Sequence, residues 1–274
     1  VTYKYNELVY AEEIYKNGFM TKHFPTELRL LVLYFRDILE LKPKEREYKL
    51  YEFCKKYIPN FRKEKFYKII NKALNSGLHK DQKLITILKI DVYQEELDYI
   101  NSLDVNQNYK KVMFTFLVQR KLDKTVYELK HGVNDEYNML FFKGGTKKYN
   151  NIKKIAHIPN KIHINDEIIN NLGKLGLVAI LHRGTILLDY IKNCKQEGDI
   201  VFSITNYDNI GLYLDYYNNV KNVIKCERCQ EIIKAKNNRQ KYCPACWKEI
   251  EHENHKERNR KWWHNSKLDG LENS

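Results

Sequence analysis

Cys226-Glu-Arg-Cys229 and Cys243-Pro-Ala-Cys246, with thirteen residues between them, decide how the last fifth of the chain folds. Each Cys-x-x-Cys turn delivers two thiolates to one point, and the intervening loop lets the two pairs face each other. The competing assignment is a pair of disulfides. The spacing is one commonly used for metals, and a chain without a secretory leader is expected, so metal is favoured over disulfides. Four thiolates complete a tetrahedral shell and leave no position for a reacting water. The set Cys226, Cys229, Cys243 and Cys246 therefore predicts one structural Zn²⁺. Cys54 and Cys194 stand in apolar contexts and read as reduced, buried thiols.

Working outward, 218–222 is a polar linker. Ile232, Ile233, Lys234 and Lys236 suggest a short hairpin that turns at Asn237-Asn238-Arg239-Gln240. Pro244 suits the first turn of a helix, which composition extends to Trp262. The segment Arg239-Gln-Lys-Tyr-Cys-Pro-Ala-Cys246 resembles treble-clef zinc fingers, among them the small fingers that close many phage and mobile-element proteins of low-GC bacteria. The resemblance implies a second knuckle opening a helix, and residues 220–274 read as a finger with a trailing helix. Arg228, Lys234, Lys236, Arg239 and Lys241 on the finger, with Arg258 and Arg260 on the helix, are candidate phosphate contacts. Trp262 and Trp263 are expected to dock back onto the protein, because exposed indole is costly.

Residues 104–219 follow a different order. A helix over 107–121 carries Val112, Met113, Phe116 and Leu117, and Asn106 is placed to start it. Residues 122–149 read as an inserted loop, with His131-Gly132, Asn134-Asp135 and Gly144-Gly145 as turn signals. A short helix over 151–157 and a capped helix over 165–175 come next, then two β-branched runs at 186–191 and 200–205 separated by Gly198-Asp199. Helix, turn, helix and hairpin is the order of a winged helix-turn-helix, and Leu172-Gly-Lys-Leu-Gly-Leu-Val178 resembles the end of its second helix. That resemblance implies a helix laid in a major groove, with Asn170, Asn171 and Lys174 as readers. The helix is nearly neutral, however. The cations lie before it, at Lys147, Lys148, Lys153 and Lys154.

Residues 1–103 read as a basic all-α body of Leu, Ile, Phe and Tyr, with helices broken at Gly18, Lys42-Pro43, Pro59 and Gly77. The overall fold class is thus mainly α: a helical amino-terminal body, a winged-helix-like α+β middle and a small treble-clef finger. The net charge of +13 is uneven, since the first 80 residues carry +7 and residues 220–274 carry +5, while 151–219 are neutral. Two basic ends favour a polyanionic partner, DNA or RNA. No apolar run approaches the ~18 residues of a membrane span, so a cytoplasmic protein is expected. There is no Walker loop, metalloprotease motif, nucleophile elbow or dinucleotide fingerprint, which points to binding rather than catalysis. The alternative expectation is a protein-contact module, such as a phage-encoded, anti-CRISPR-like inhibitor of an RNA-guided nuclease.

Overall fold

The computed structural model describes residues 5–21, 24–132 and 138–272, and the chain is mainly helical with three small antiparallel sheets. Helices α1 (Glu7–Asn17), α2 (Phe24–Asp37), α3 (Pro43–Tyr57) and α4 (Lys63–Ser76) form the amino-terminal body. Its core centres on α2, where Leu28, Leu30, Leu31, Val32, Tyr34 and Phe35 are buried against Ile14, Leu50, Phe53 and Ile70. Glu27 is buried in the same body and accepts hydrogen bonds from Tyr10 Oη, Met20 N and Thr21 Oγ1, so its charge is compensated. Gly77 ends α4 without the left-handed cap that its position suggests, at φ −71°. Close approach is the reason glycine stands there, because a Cβ would come within 2.6 Å of Val32 Cγ1.

The second core begins at Ile85 rather than beyond residue 103. Ile90, Val92, Leu97 and Ile100 all belong to it, as does Tyr5, which the chain carries back across Ile87. Strand β1 (Ile90–Tyr93) leads directly into α5 (Gln94–Ser102). Glu96 caps that helix by accepting from Tyr93 N. Asp91 lies within β1 and accepts from Ser203 Oγ.

Helix α6 (Gln107–His131) is the axis of this core. Asn106 caps it through Tyr109 N, as its side chain predicts, and residues Lys111 to Leu122 are buried without interruption. Burial on every face requires internal partners for its cations. Lys111 pairs with Asp215, Lys121 with Glu96 at 2.9 Å, and Arg120 with Asp123 at 2.9 Å. Burial pushes the Glu96 carboxyl up and the Lys121 ammonium down, and each is opposed by the other's charge.

The expected inserted loop is corrected here. Residues 122–131 continue α6, and 141–143 form strand β2 (Phe141–Lys143); Asn134-Asp135 lies outside the described residues. Helix α7 (Thr146–Ile155), a π-helical turn (Ile164–Ile169), the short α8 (Asn170–Lys174), β3 (Ala179–Ile180) and β4 (Thr185–Leu187) follow. Strands β2, β4 and β3 make one antiparallel sheet with β4 in the centre. The predicted hairpin between 186–191 and 200–205 does not form. Strand β5 (Ile200–Ile204) pairs with β1 instead. After Leu187 the chain turns through a short helical segment that buries Tyr190, whose hydroxyl donates to Met113 O at 2.7 Å, so the first run cannot extend toward the second.

Helix α9 (Ile210–Tyr217) packs on α6 and receives the β6 (Val223–Lys225)–β7 (Ile232–Lys234) hairpin. The final helix, α10, runs Pro244–Glu272. Among the described residues no helix is long and apolar enough to cross a membrane.

Candidate metal centre and basic surfaces

Strand alternation positions the cysteines. In β7, Ile232 points into the main core and Ile233 into the small cluster formed by Cys226, Cys243 and Cys246, so adjacent residues rivet the finger to the body. The first knuckle is the turn of the β6–β7 hairpin, with Gln230 at φ 64° closing it. This corrects the expected hairpin turn at 237–240, since the partner of β7 lies upstream of the knuckle. The second knuckle forms the first turn of α10, with Pro244 at the start of the helix.

The four ligand sulfurs lie within 4.8 Å of one another, and Cys229 and Cys243 Sγ are 3.7 Å apart. Two sulfurs held about 2.3 Å from a tetrahedral centre stand about 3.8 Å apart, so the arrangement fits a single metal ion. Backbone amides support it: Cys243 N donates to Cys226 Sγ at 3.3 Å and Cys246 N to Cys243 Sγ at 3.4 Å. Burial raises the Cys226 thiol, but backbone N–H groups of Cys229, Cys243 and Arg228 outweigh it and bring the group down to about 6, whereas burial and neighbouring thiols raise Cys229 and Cys246. A lowered thiol such as Cys226 is poised to bind as thiolate. Cys54 and Cys194 differ. Burial pushes both up to about 12, as expected of inert core thiols.

No known protein family, curated protein or solved structure matches this chain.

The predicted cations separate into those held by the fold and those left facing solvent. Arg228 is bound to α10 through Glu253 at 2.8 and 3.1 Å, with Glu249 at 3.6 Å, so it anchors the helix instead of presenting a charge outward. Lys241 pairs with Glu227 at 3.3 Å. Lys153 donates to Asn160 O at 2.7 Å. Asn171 is occupied too, donating to Tyr109 Oη at 2.8 Å and Glu167 O at 2.6 Å. Asn170, Lys174, Lys234, Lys236, Arg239, Arg258 and Arg260 are exposed. Lys236, Arg239 and Lys241 share a groove of about 400 Å³ with Tyr242 and Trp247. Trp262 is 63 % exposed rather than buried, while the Trp263 side chain lies outside the described residues.

Lys147, Lys148 and Lys154 meet in a larger cleft of about 900 Å³, between the second half of α6 and α7 and bounded by β2. Lys143 joins them there. Sequence reasoning missed Phe141 as a member of this site. The signal was the pair Phe141-Phe142 ahead of Lys143, since alternation along a strand buries one ring and leaves its neighbour out. Phe142 is buried, whereas Phe141 is 41 % exposed.

Proposed function

We propose that this chain is a nucleic-acid-binding protein that acts by binding rather than catalysis, with a winged-helix unit over 107–187 and a treble-clef-like finger holding one structural Zn²⁺. One observation carries the reading. The order α6, β2, α7, π turn with α8, β3, β4, closed as a sheet in the order β2-β4-β3, supports a winged helix, and a lysine-lined cleft lies on the same unit. The wing is the turn between β3 and β4, 181–184, with Gly184 at φ 71°. Helix 164–174 would be the second helix of the motif.

Zinc is favoured over other metals by the all-sulfur, tetrahedral donor set. The finger's likeness to those of phage and mobile-element proteins supports a replication or regulatory role for such an element. Binding of labelled mixed-sequence DNA and RNA across a salt series tests the reading. It requires log affinity that falls linearly with log salt, and absence of binding at low salt would remove it.

A second reading, a protein-contact module inhibiting a host or defence complex, is favoured by exposed apolar residues at and beside the β3–β4 turn. Leu175, Ile180 and Leu181 are 56 %, 56 % and 41 % exposed, an apolar character ill suited to a phosphate backbone. Capture of host partners that survives nuclease digestion, and is lost in Ile180→Asp with Leu181→Asp, would support it.

A further inference from the structure

The cleft between α6 and α7 is chemically unlike the helix that a winged-helix unit ordinarily lays in a groove. The 164–174 segment exposes Asp166 and Glu167 against the single cation Lys174. The cleft, by contrast, has lysines along its α7 and β2 sides. Lys143, Lys147 and Lys154 are exposed and make no ion pair among the described residues, while the Lys148 ammonium sits 5.6 Å over the Phe142 ring. Its α6 side is held in place: Arg120 pairs with Asp123 and donates through Nε to Met139 O at 3.1 Å. The charge facing an incoming ligand is therefore set by the four lysines.

Charge alone would suit any polyanion, and the rest of the lining narrows the choice. Phe141 presents an aromatic surface at the mouth, and the exposed side chains of Asn150 and Asn151 offer amide donors and acceptors beside it. A duplex keeps its base faces stacked inside and has nothing to set against an aromatic ring. An unstacked strand exposes those faces, and ring–base stacking beside a cationic track is how single strands are held without sequence preference. A cleft of this volume is within the range that encloses a ligand the size of a nucleotide, about 300–1,000 Å³.

We propose that this cleft binds single-stranded nucleic acid, with an unstacked base against Phe141 and the flanking phosphates on Lys143, Lys147, Lys148 and Lys154. The inference rests on the nucleic-acid reading above and names its substrate: the strand enters by the α6–α7 cleft and not by the 164–174 helix.

The test is fluorescence anisotropy of the zinc-loaded full chain with labelled single-stranded DNA and RNA of mixed sequence and with the matching duplex, over a salt series. The wild type is expected to favour the single strand. Replacing Lys147 and Lys148 together by Gln removes two phosphate contacts, so the slope of log affinity against log salt should shrink by about 1.4 and low-salt affinity should fall about tenfold. Phe141→Leu keeps an apolar side chain for the strand but removes the ring. It should weaken single-strand binding about tenfold at unchanged salt slope and leave duplex binding as it was. Photocrosslinking of a 5-bromouracil strand, mapped by mass, should reach Phe141. Thermal melts of each variant separate lost binding from lost fold.

Wild-type affinity and slope in the double lysine variant would overturn the cleft. So would a larger loss from Lys174→Gln, which would return binding to the 164–174 helix with the nucleic-acid reading intact. Displacement of the strand by poly-glutamate at equal charge concentration would mean that the cleft takes acidic protein segments. No binding of any nucleic acid at low salt overturns both the inference and the reading beneath it.

Discussion

The two long helices of this protein are held by opposite means. Helix α6 carries Lys111, Arg120 and Lys121 through the interior, each paired with a carboxylate, and twelve consecutive residues are buried. Helix α10 is 29 residues long, about 43 Å, and every residue from 251 to 262 is exposed. Tertiary packing supports the first. The second depends on a first turn built into the four-cysteine cluster, on Arg228, and on pairs along its own surface such as Lys261–Glu257 at 2.8 Å. A helical stretch exposed at every position, as 251–262 is, is marginal in water, so α10 needs an anchor that α6 does not.

Breaking that anchor should have the largest effect. Cys226→Ser, Cys243→Ser or exhaustive chelation removes a binding free energy of order 10 kcal/mol that structural zinc supplies to a small unit. Far-UV circular dichroism is expected to lose the α10 contribution while the main melting transition persists at somewhat lower temperature. The decrease reflects Ile232, through which the hairpin is tied to the main core. Retention of full zinc content and helicity in either variant would contradict the four-sulfur site.

On the α6 side, Lys121→Met leaves Glu96 buried without its cation and should cost about 3–5 kcal/mol in urea unfolding. Adding Glu96→Leu should recover much of that loss, because the pair repays a desolvation cost that an apolar pair never incurs. If the single variant loses nothing, α6 is not held as its buried pairs imply.

A smaller effect should come from acid. His157 packs beside the Lys111–Asp215 pair and shares a 2.9 Å hydrogen bond with Asn209, and burial holds its imidazole below the ordinary 6.5. The unfolded chain therefore binds the extra proton first. The stabilising contribution is complete above about pH 6.5 and declines as pH falls below it. Asn accepts the same left-handed backbone, φ 53°, so His157→Asn should flatten that part of the pH–stability curve without breaking the turn. The smallest effect is reserved for α10. Glu253→Ala leaves Arg228 only its longer contact with Glu249, and only zinc retention at raised temperature should register the change, because the pair is exposed and solvent screens it.

Legibility from sequence divides along similar lines. The four cysteines, the Asn106 cap and the segment boundaries at Gly18 and Pro43 were readable because each is a local relation, a spacing or a backbone preference over a few residues. The hairpin expected between 186–191 and 200–205 does not form. β-branched residues at 200–204 announce a strand but not its partner, and β1, more than a hundred residues upstream, takes it. The cations were likewise visible as residues but not as roles. Nothing in Arg228 or Asn171 distinguishes a free side chain from one already hydrogen-bonded, and the fold engages both. By itself the sequence determined the metal set, most of the helices and the uneven charge. Which strands pair, which cations are neutralised and which four lysines share a cleft with Phe141 were decided only by the tertiary structure, since those depend on residues that meet in space from distant parts of the chain.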